Sequence, residues 1–270
     1  MNFSGVTVGQ YFPGNSLLHR LDPRVKITAV FLLSIAIFLP RGWPGYAATA
    51  LFTLTAVWLA HVPLKMILQG LRPILIFLVI TALFNLFLTP GETVLFKIGP
   101  ATATREGLML SIVTSVRLVL LVTLASLLTL TTSPIRLTDG LERMLRPLKP
   151  IGVPAHELAL MMTIALRFIP TLAEEADRIM RAQMARGAEL GRGSVTSRVK
   201  ALIPVLVPLF VAAFRRADEL ATAMEARGYR GGDGRTRMRE LAFGGRDVVA
   251  LAVLASFVGL IVALRVTGLG

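Results

Sequence analysis

The sequence predicts an all-α membrane protein, with about five transmembrane helices and a water-facing domain of two to three long amphipathic helices. Three observations carry this. Hydrophobic residues fill 54% of the 270 positions and charged residues only 17%, against roughly 45–50% and about 25% in soluble domains. The apolar residues fall in stretches near the length of about 20 that a bilayer crossing needs. The basic residues lie mostly between those stretches.

Five stretches qualify as spans. The first, 25–39, is short and draws on its flanks; the others are 45–60, 73–88, 107–130 and 248–264. Loop charges orient them. The N-terminal segment carries His19, Arg20, Arg24 and Lys26, and the loop 61–72 carries Lys65 and Arg72 without an acid. The loop after the first span has only Arg41; after the third, Lys97 and Arg105 are offset by Glu92 and Glu106. Excess Lys and Arg marks the cytoplasmic side. The N-terminus and 61–72 are therefore expected in the cytoplasm, the chain returns there at Thr131, and the fifth span leaves the C-terminus outside. The first 25 residues lack an apolar core segment, so no cleavable signal peptide is expected.

The segment between the fourth and fifth spans differs in character. Residues 132–246 hold 19 basic and 12 acidic residues, a net +7. Connections above about 12–15 residues are usually functional. Pro134, Pro147, Pro150 and Pro154 break it early, Gly187, Gly191 and Gly193 in the middle, and Gly228, Gly231, Gly232 and Gly234 late. Three helices are expected, near 134–146, 154–187 and 196–228. The apolar runs 158–169 and 201–214 are short; one contains Arg167, the other Pro204 and Pro208. Such runs are read as interfacial, not spanning. The domains are thus 1–131, a four-span membrane domain; 132–246, cytoplasmic; and 247–270, the last span.

The net charge of +13 does not point to nucleic acid, because no basic stripe interleaves with aromatics. No cysteine is present, which excludes disulfides, thiolate metal sites and cysteine nucleophiles. A nucleotide-binding loop of the form GxxxxGK[ST] is missing, since no Lys precedes Ser or Thr. His19, His61 and His156 have no metal-ligand spacing, and no GxSxG elbow occurs. No catalytic residue, cofactor site or metal site is therefore expected in this chain. A stand-alone secondary transporter is the alternative reading. It should show intramembrane acids or broken, repeated spans, and the five spans hold no Asp or Glu between their ends.

What remains is an internal echo. Ala182-Gln183-Met184-Ala185-Arg186-Gly187 is followed 41 positions later by Ala223-Met224-Glu225-Ala226-Arg227-Gly228. Each Arg-Gly pair suits a helix C-terminus: the Gly for the left-handed position, the Arg for the negative end of the dipole. That alone is ordinary capping. A guanidinium between small neighbours on a rigid helix end is also shaped to enter an acidic groove, because its planar fork matches carboxylates. The helices leading to these ends are amphipathic, with Leu172, Ala176, Ile179 and Gln183 on one stripe and Leu209, Ala213, Ala217, Leu220 and Met224 on the other. Met144, Met161, Met162, Met180 and Met184 add soft, repackable surface. Arg117 lies within the fourth span, where a charge costs roughly 2.5–3.5 kcal/mol. It is expected to pair with a partner's acid or to snorkel.

At this point the chain resembles the T component of energy-coupling-factor importers. The residues are Gly9-Gln10-Tyr11-Phe12-Pro13-Gly14-Asn15-Ser16, Leu18-His19-Arg20-Leu21-Asp22-Pro23-Arg24, Thr131-Thr132-Ser133-Pro134, Pro147-Leu148, Arg167-Phe168-Ile169-Pro170 and the two Ala-Arg-Gly ends. Their order and spacing carry the resemblance over nearly the whole length. It implies that Ala185-Arg186-Gly187 and Ala226-Arg227-Gly228 dock on two ABC-type ATPases, which would bind the ATP and Mg. The long helices would then couple hydrolysis to a small hydrophobic substrate-binding S component for a vitamin or similar micronutrient. The N-terminal motif is closer to the shared-module version than to the dedicated cobalt or nickel version. The implied location is the plasma membrane of a prokaryote.

Overall fold

A computed structural model of the chain describes residues 11–98, 101–188, 194–231 and 242–267. Among them are ten α-helices and one small hairpin. The helices are α1 (Leu17–Arg20), α2 (Pro23–Ala36), α3 (Trp43–Ala60), α4 (Leu64–Leu71), α5 (Leu75–Leu88), α6 (Arg105–Thr131), α7 (Pro134–Leu145), α8 (Ala155–Ala185), α9 (Val195–Ala226) and α10 (Gly245–Val266). Strands β1 (Val94–Ile98) and β2 (Ala101–Thr104) pair antiparallel. The chain divides into two compact units: residues 11–140 with 241–270, and residues 141–240.

The first unit is a bundle of apolar helices. Leu33 and Ile37 of α2 and its turn, Leu120 and Leu124 of α6, and Leu254, Phe257 and Ile261 of α10 form one buried cluster. Phe52 of α3 stacks on Phe257 with ring centroids 4.1 Å apart. A second cluster joins Val57, Ala60, Val62, Ile67, Leu127 and Leu130. Thr49 and Thr53 stay buried in α3 because each hydroxyl donates to the carbonyl four residues back. Most remaining apolar side chains of these helices are exposed, among them Phe31, Leu51, Trp58, Ile76 and Val249. Helices that bury one stripe and expose apolar residues elsewhere are built for a hydrocarbon solvent.

Among the described residues, four helical segments are long and apolar enough to cross a membrane: 64–88, α6, α8 and α10. Three match the third, fourth and fifth expected spans. The first two expected spans are α2 and α3, of 14 and 18 residues. At 1.5 Å per residue α2 is roughly 21 Å long, short of a bilayer core by itself. The fourth segment, α8, contains the run 158–169 expected at the interface; with 31 residues it is long and apolar enough to cross.

Two further differences have clear causes. The expected loop 61–72 is largely α4, because Ile67 inserts into the second cluster and gives the segment a buried side. Pro73 then interrupts the regular helix with a 3-10 turn at Arg72–Ile74, before α5. The connection between the third and fourth spans holds the β1–β2 hairpin, which helical periodicity does not reveal. Thr104 closes it by capping α6 through the Gly107 N–H and donating to the Thr89 carbonyl.

At the end where α2 and α10 begin and α6 finishes, the unit buries a polar knot. Asp22 caps α2 by accepting from the Arg24 N–H at 2.9 Å. The Asp22 N–H itself donates to Asp247 Oδ1 at 2.8 Å, while Asp247 Oδ2 accepts from the Gly244 N–H at 2.9 Å. Lys26 Nζ donates to the Thr131 carbonyl and to Thr132 Oγ1, both at 3.0 Å. His19 sits beside it, with Nε2 donating to the Phe12 carbonyl at 3.0 Å and Nδ1 accepting from Ser16 Oγ at 2.6 Å. Asp22, Lys26, His19 and Asp247 are all buried. Burying a charge is costly unless it is hydrogen-bonded; Lys26 Nζ and both Asp247 oxygens have such bonds, whereas Asp22 Oδ2 is buried without one to a described residue.

Burial pushes the His19 imidazole below its ordinary value; the Phe12 carbonyl opposes this and the Lys26 charge adds to it. The folded state therefore prefers neutral His19. Its contribution to stability is complete above a pH of about 6.5 and is lost as pH falls through the lowered value. Melting temperatures of the purified chain between pH 8 and 5 check this. The wild type should lose more on acidification than His19→Gln, and parallel profiles would remove His19 from the account.

Candidate functional site

The second unit contains α8 and α9, of 31 and 32 residues, or roughly 46 and 48 Å at 1.5 Å per residue. They pack on each other, and Met180 of α8 and Val205 of α9 are buried. Glu175 bridges them, with Arg178 at 3.3 Å on its own helix and Arg216 of α9 at 3.9 Å. Prolines shape α9. Pro208 has no N–H to give the Pro204 carbonyl, and the Gln183 side chain of α8 donates to that carbonyl instead, at 3.3 Å. A position that reads as part of an apolar stripe is thus a polar clamp where the partner helix lacks its own bond. The signal in sequence would have been Pro at 208, four residues after the orphaned carbonyl. Near the start of α8, His156 Nδ1 lies 3.2 Å from Glu142 Oε1.

The run 201–214 lies within α9, which is not among the described helices apolar enough to cross a membrane. It nevertheless exposes Leu202, Ile203, Leu206, Val207, Phe210, Val211 and Phe214. An apolar patch of this extent marks an interaction surface.

Both repeated ends are built alike. Helix α8 stops at Ala185 and Arg186 is its C-cap. Gly187 has φ +89°. Its N–H donates to the Met184 carbonyl at 3.0 Å, and the Ala188 N–H to the Gln183 carbonyl at 3.0 Å. Helix α9 stops at Ala226, and Gly228 has φ +70°. Its N–H donates to the Glu225 carbonyl at 2.8 Å, and the Tyr229 N–H to the Met224 carbonyl at 3.0 Å. These are two Schellman motifs with the same atoms in the same places. Each leaves its arginine on the last helical turn, and Arg186 and Arg227 are exposed with no ion pair among the described residues. Ala185 and Ala226 flank them, also exposed.

Glycine is required at 187 and 228 by conformation and not by space, since a Cβ at either would meet nothing within 4 Å. A side chain in the left-handed region costs roughly 1–2 kcal/mol. Gly187→Ala should therefore fray the end of α8 without touching its core. Hydrogen exchange at residues 183–188 should quicken by about tenfold, and unchanged protection would show that the cap does not hold the arginine.

Arg117 of α6 has internal partners. Its guanidinium lies 5.4 Å from the ring centres of Phe38 and Tyr46 and donates to Tyr46 Oη at 2.5 Å. Tyr46 Oη donates onward to the Pro40 carbonyl at 2.8 Å. The charge thus reaches the α2–α3 turn, between two aromatic faces. It meets no described carboxylate there, and its Nε is buried without a hydrogen bond to a described residue.

Comparison with known proteins agrees with this arrangement. Residues 14–238 match the family model described as cobalt transport protein. The chain is 53% identical over 246 residues to the energy-coupling factor transporter transmembrane protein EcfT of Clostridium kluyveri, covering 91% of each chain. It is 53% identical to the EcfT of Acidaminococcus fermentans over 254 residues, 94% of each. Against that of Bacillus subtilis it is 50% identical over 252 residues, 92% of this chain and 95% of the other. The chain belongs to the family of transmembrane T components of energy-coupling-factor transporters.

Proposed function

We propose that this chain links ATP hydrolysis by two ABC-type ATPases to uptake through a separate small hydrophobic S component, which would bind a vitamin or similar micronutrient. The observation that supports this best is the pair of alike capped helix ends, each presenting an exposed arginine with no ion pair among the described residues. Ala185-Arg186-Gly187 and Ala226-Arg227-Gly228 would each enter a groove on one ATPase. The chain itself would not be catalytic, and ATP and Mg would be bound by the ATPases. The cross-braced α8–α9 pair suits a lever, because a force at either arginine is carried along a continuous helix to a shared crossing. The exposed apolar face of α9 offers the S component a surface.

The proposed setting is the plasma membrane of a prokaryote, with the N-terminus and 132–246 in the cytoplasm and 1–131 and 247–270 forming the membrane part. The module would be of the shared type, serving several S components. Arg117 we assign to bracing α6 against the α2–α3 turn through Phe38 and Tyr46. Purification of the tagged full chain from its own membranes tests the whole reading. The expected co-purifying set is an ATPase pair plus a small, very hydrophobic protein. Recovery of the chain alone, still competent in transport, would favour a stand-alone secondary transporter instead.

A further inference from the structure

We infer that the membrane unit holds one anionic phospholipid, with its acyl chains in the cleft lined by α2, α3, α6 and α10 and its phosphate on Arg246. The cleft has a volume of about 740 Å³ and opens to the outside of the unit. Val30, Phe52, Ala56, Leu124, Val253 and Leu254 represent its walls, which are almost wholly apolar. Among the described lining residues, charge is found only at the end where α2 and α10 begin, in Lys26 and Arg246.

The polar groups of this lining are spoken for, with one exception. Lys26 Nζ donates to Thr131, Thr132 and His19. The Thr55 hydroxyl donates to the Leu51 carbonyl and that of Thr131 to the Leu127 carbonyl. Arg246 is exposed and makes no hydrogen bond or ion pair with a described residue. It also stands in the first turn of α10, the positive end of the helix dipole, where a cation is unfavourable by about 0.3–1 kcal/mol. Its neighbour Asp247 accepts from the amides there, and no described residue of the unit pairs with the arginine.

A water-soluble substrate would need several convergent polar groups to orient it, and the walls have none to spare. An amphiphile with hydrocarbon along its length and an anion at one end matches what is present. The surrounding bilayer supplies such molecules, and arginine attracts anionic headgroups at about 1 kcal/mol per residue. A helix of another protein is the competing occupant.

Native mass spectrometry of the delipidated full-length chain tests the inference, with phosphatidylglycerol and phosphatidylethanolamine of matched chains as probes. One phosphatidylglycerol should be retained in preference to phosphatidylethanolamine. Arg246→Gln should lower phosphatidylglycerol retention about fivefold and leave phosphatidylethanolamine unchanged. Ala56→Trp, which fills the cleft, should lower both. If that variant does not fold, Thr55→Cys carrying a disulfide-linked hexadecyl chain should displace the lipid in the otherwise cysteine-free protein. Equal retention of the two lipids, no loss in Arg246→Gln, or no lipid retained would overturn the inference. So would a photo-crosslinker at Thr55→Cys that captures a protein segment in membranes instead of lipid.

Discussion

Arg186→Glu combined with Arg227→Glu abolishes recovery of the ATPases with the chain and leaves membrane insertion intact. Both guanidiniums are exposed and bonded to no described carboxylate, so reversing them removes no support from the fold. In a desolvated acidic groove, loss of one partner of a charge pair costs about 2–5 kcal/mol, which is about 30-fold or more in affinity. Two reversals add repulsion at both ends. Single reversals should each weaken recovery severely, and Arg186→Lys should fall between, because lysine keeps the charge but loses the planar fork. The measurement is the ATPase-to-chain ratio after affinity purification, with the melting temperature as control. Normal recovery in the double variant would sink the docking assignment. Lost recovery with a lowered melting temperature would point to damage of α8 or α9 instead.

Asp247→Leu destabilises the membrane unit by about 3–5 kcal/mol, the cost typical of breaking a buried charged network. Its carboxylate accepts the N–H groups of Asp22 and Gly244, and leucine would leave both donors without a partner, at about 1–3 kcal/mol for each buried one. The start of α10 would lose its anion at the positive end of the dipole. The melting temperature of the purified chain should fall by on the order of 10 °C. Asp247→Asn should lose roughly half as much, since its amide oxygen still accepts one bond. A melting temperature for the leucine variant within about 1 °C of wild type would show that the knot does not hold the unit.

Much of the segment 134–228 is legible in the sequence. The three helices expected from prolines and glycines near 134–146, 154–187 and 196–228 appear as Pro134–Leu145, Ala155–Ala185 and Val195–Ala226. Punctuation by Pro and Gly is local chemistry, written in consecutive residues, so it survives without an alignment. The Arg-Gly ends were legible for the same reason. The first unit was read less completely. A window of hydropathy recognises 73–88, 107–130 and 248–264, but treats 61–72 as a loop because Lys65 and Arg72 dominate its charge. It misses that Ile67 turns that segment into helix by entering the core.

The sequence by itself determined that this chain lives in a membrane, that its helices carry two copies of one C-terminal motif, and that no nucleotide loop accompanies them. These are properties of composition and short spacing. Only the tertiary structure decided that Asp22 and Asp247, 225 positions apart, share a hydrogen bond, and that Lys26 reaches the end of α6. It alone shows Arg117 held between Phe38 and Tyr46. It alone reveals that Gln183 completes a carbonyl orphaned by Pro208. Contacts between distant residues follow no sequence period. They exist because a buried polar group must find a partner, and only the folded chain brings that partner within 3 Å or so.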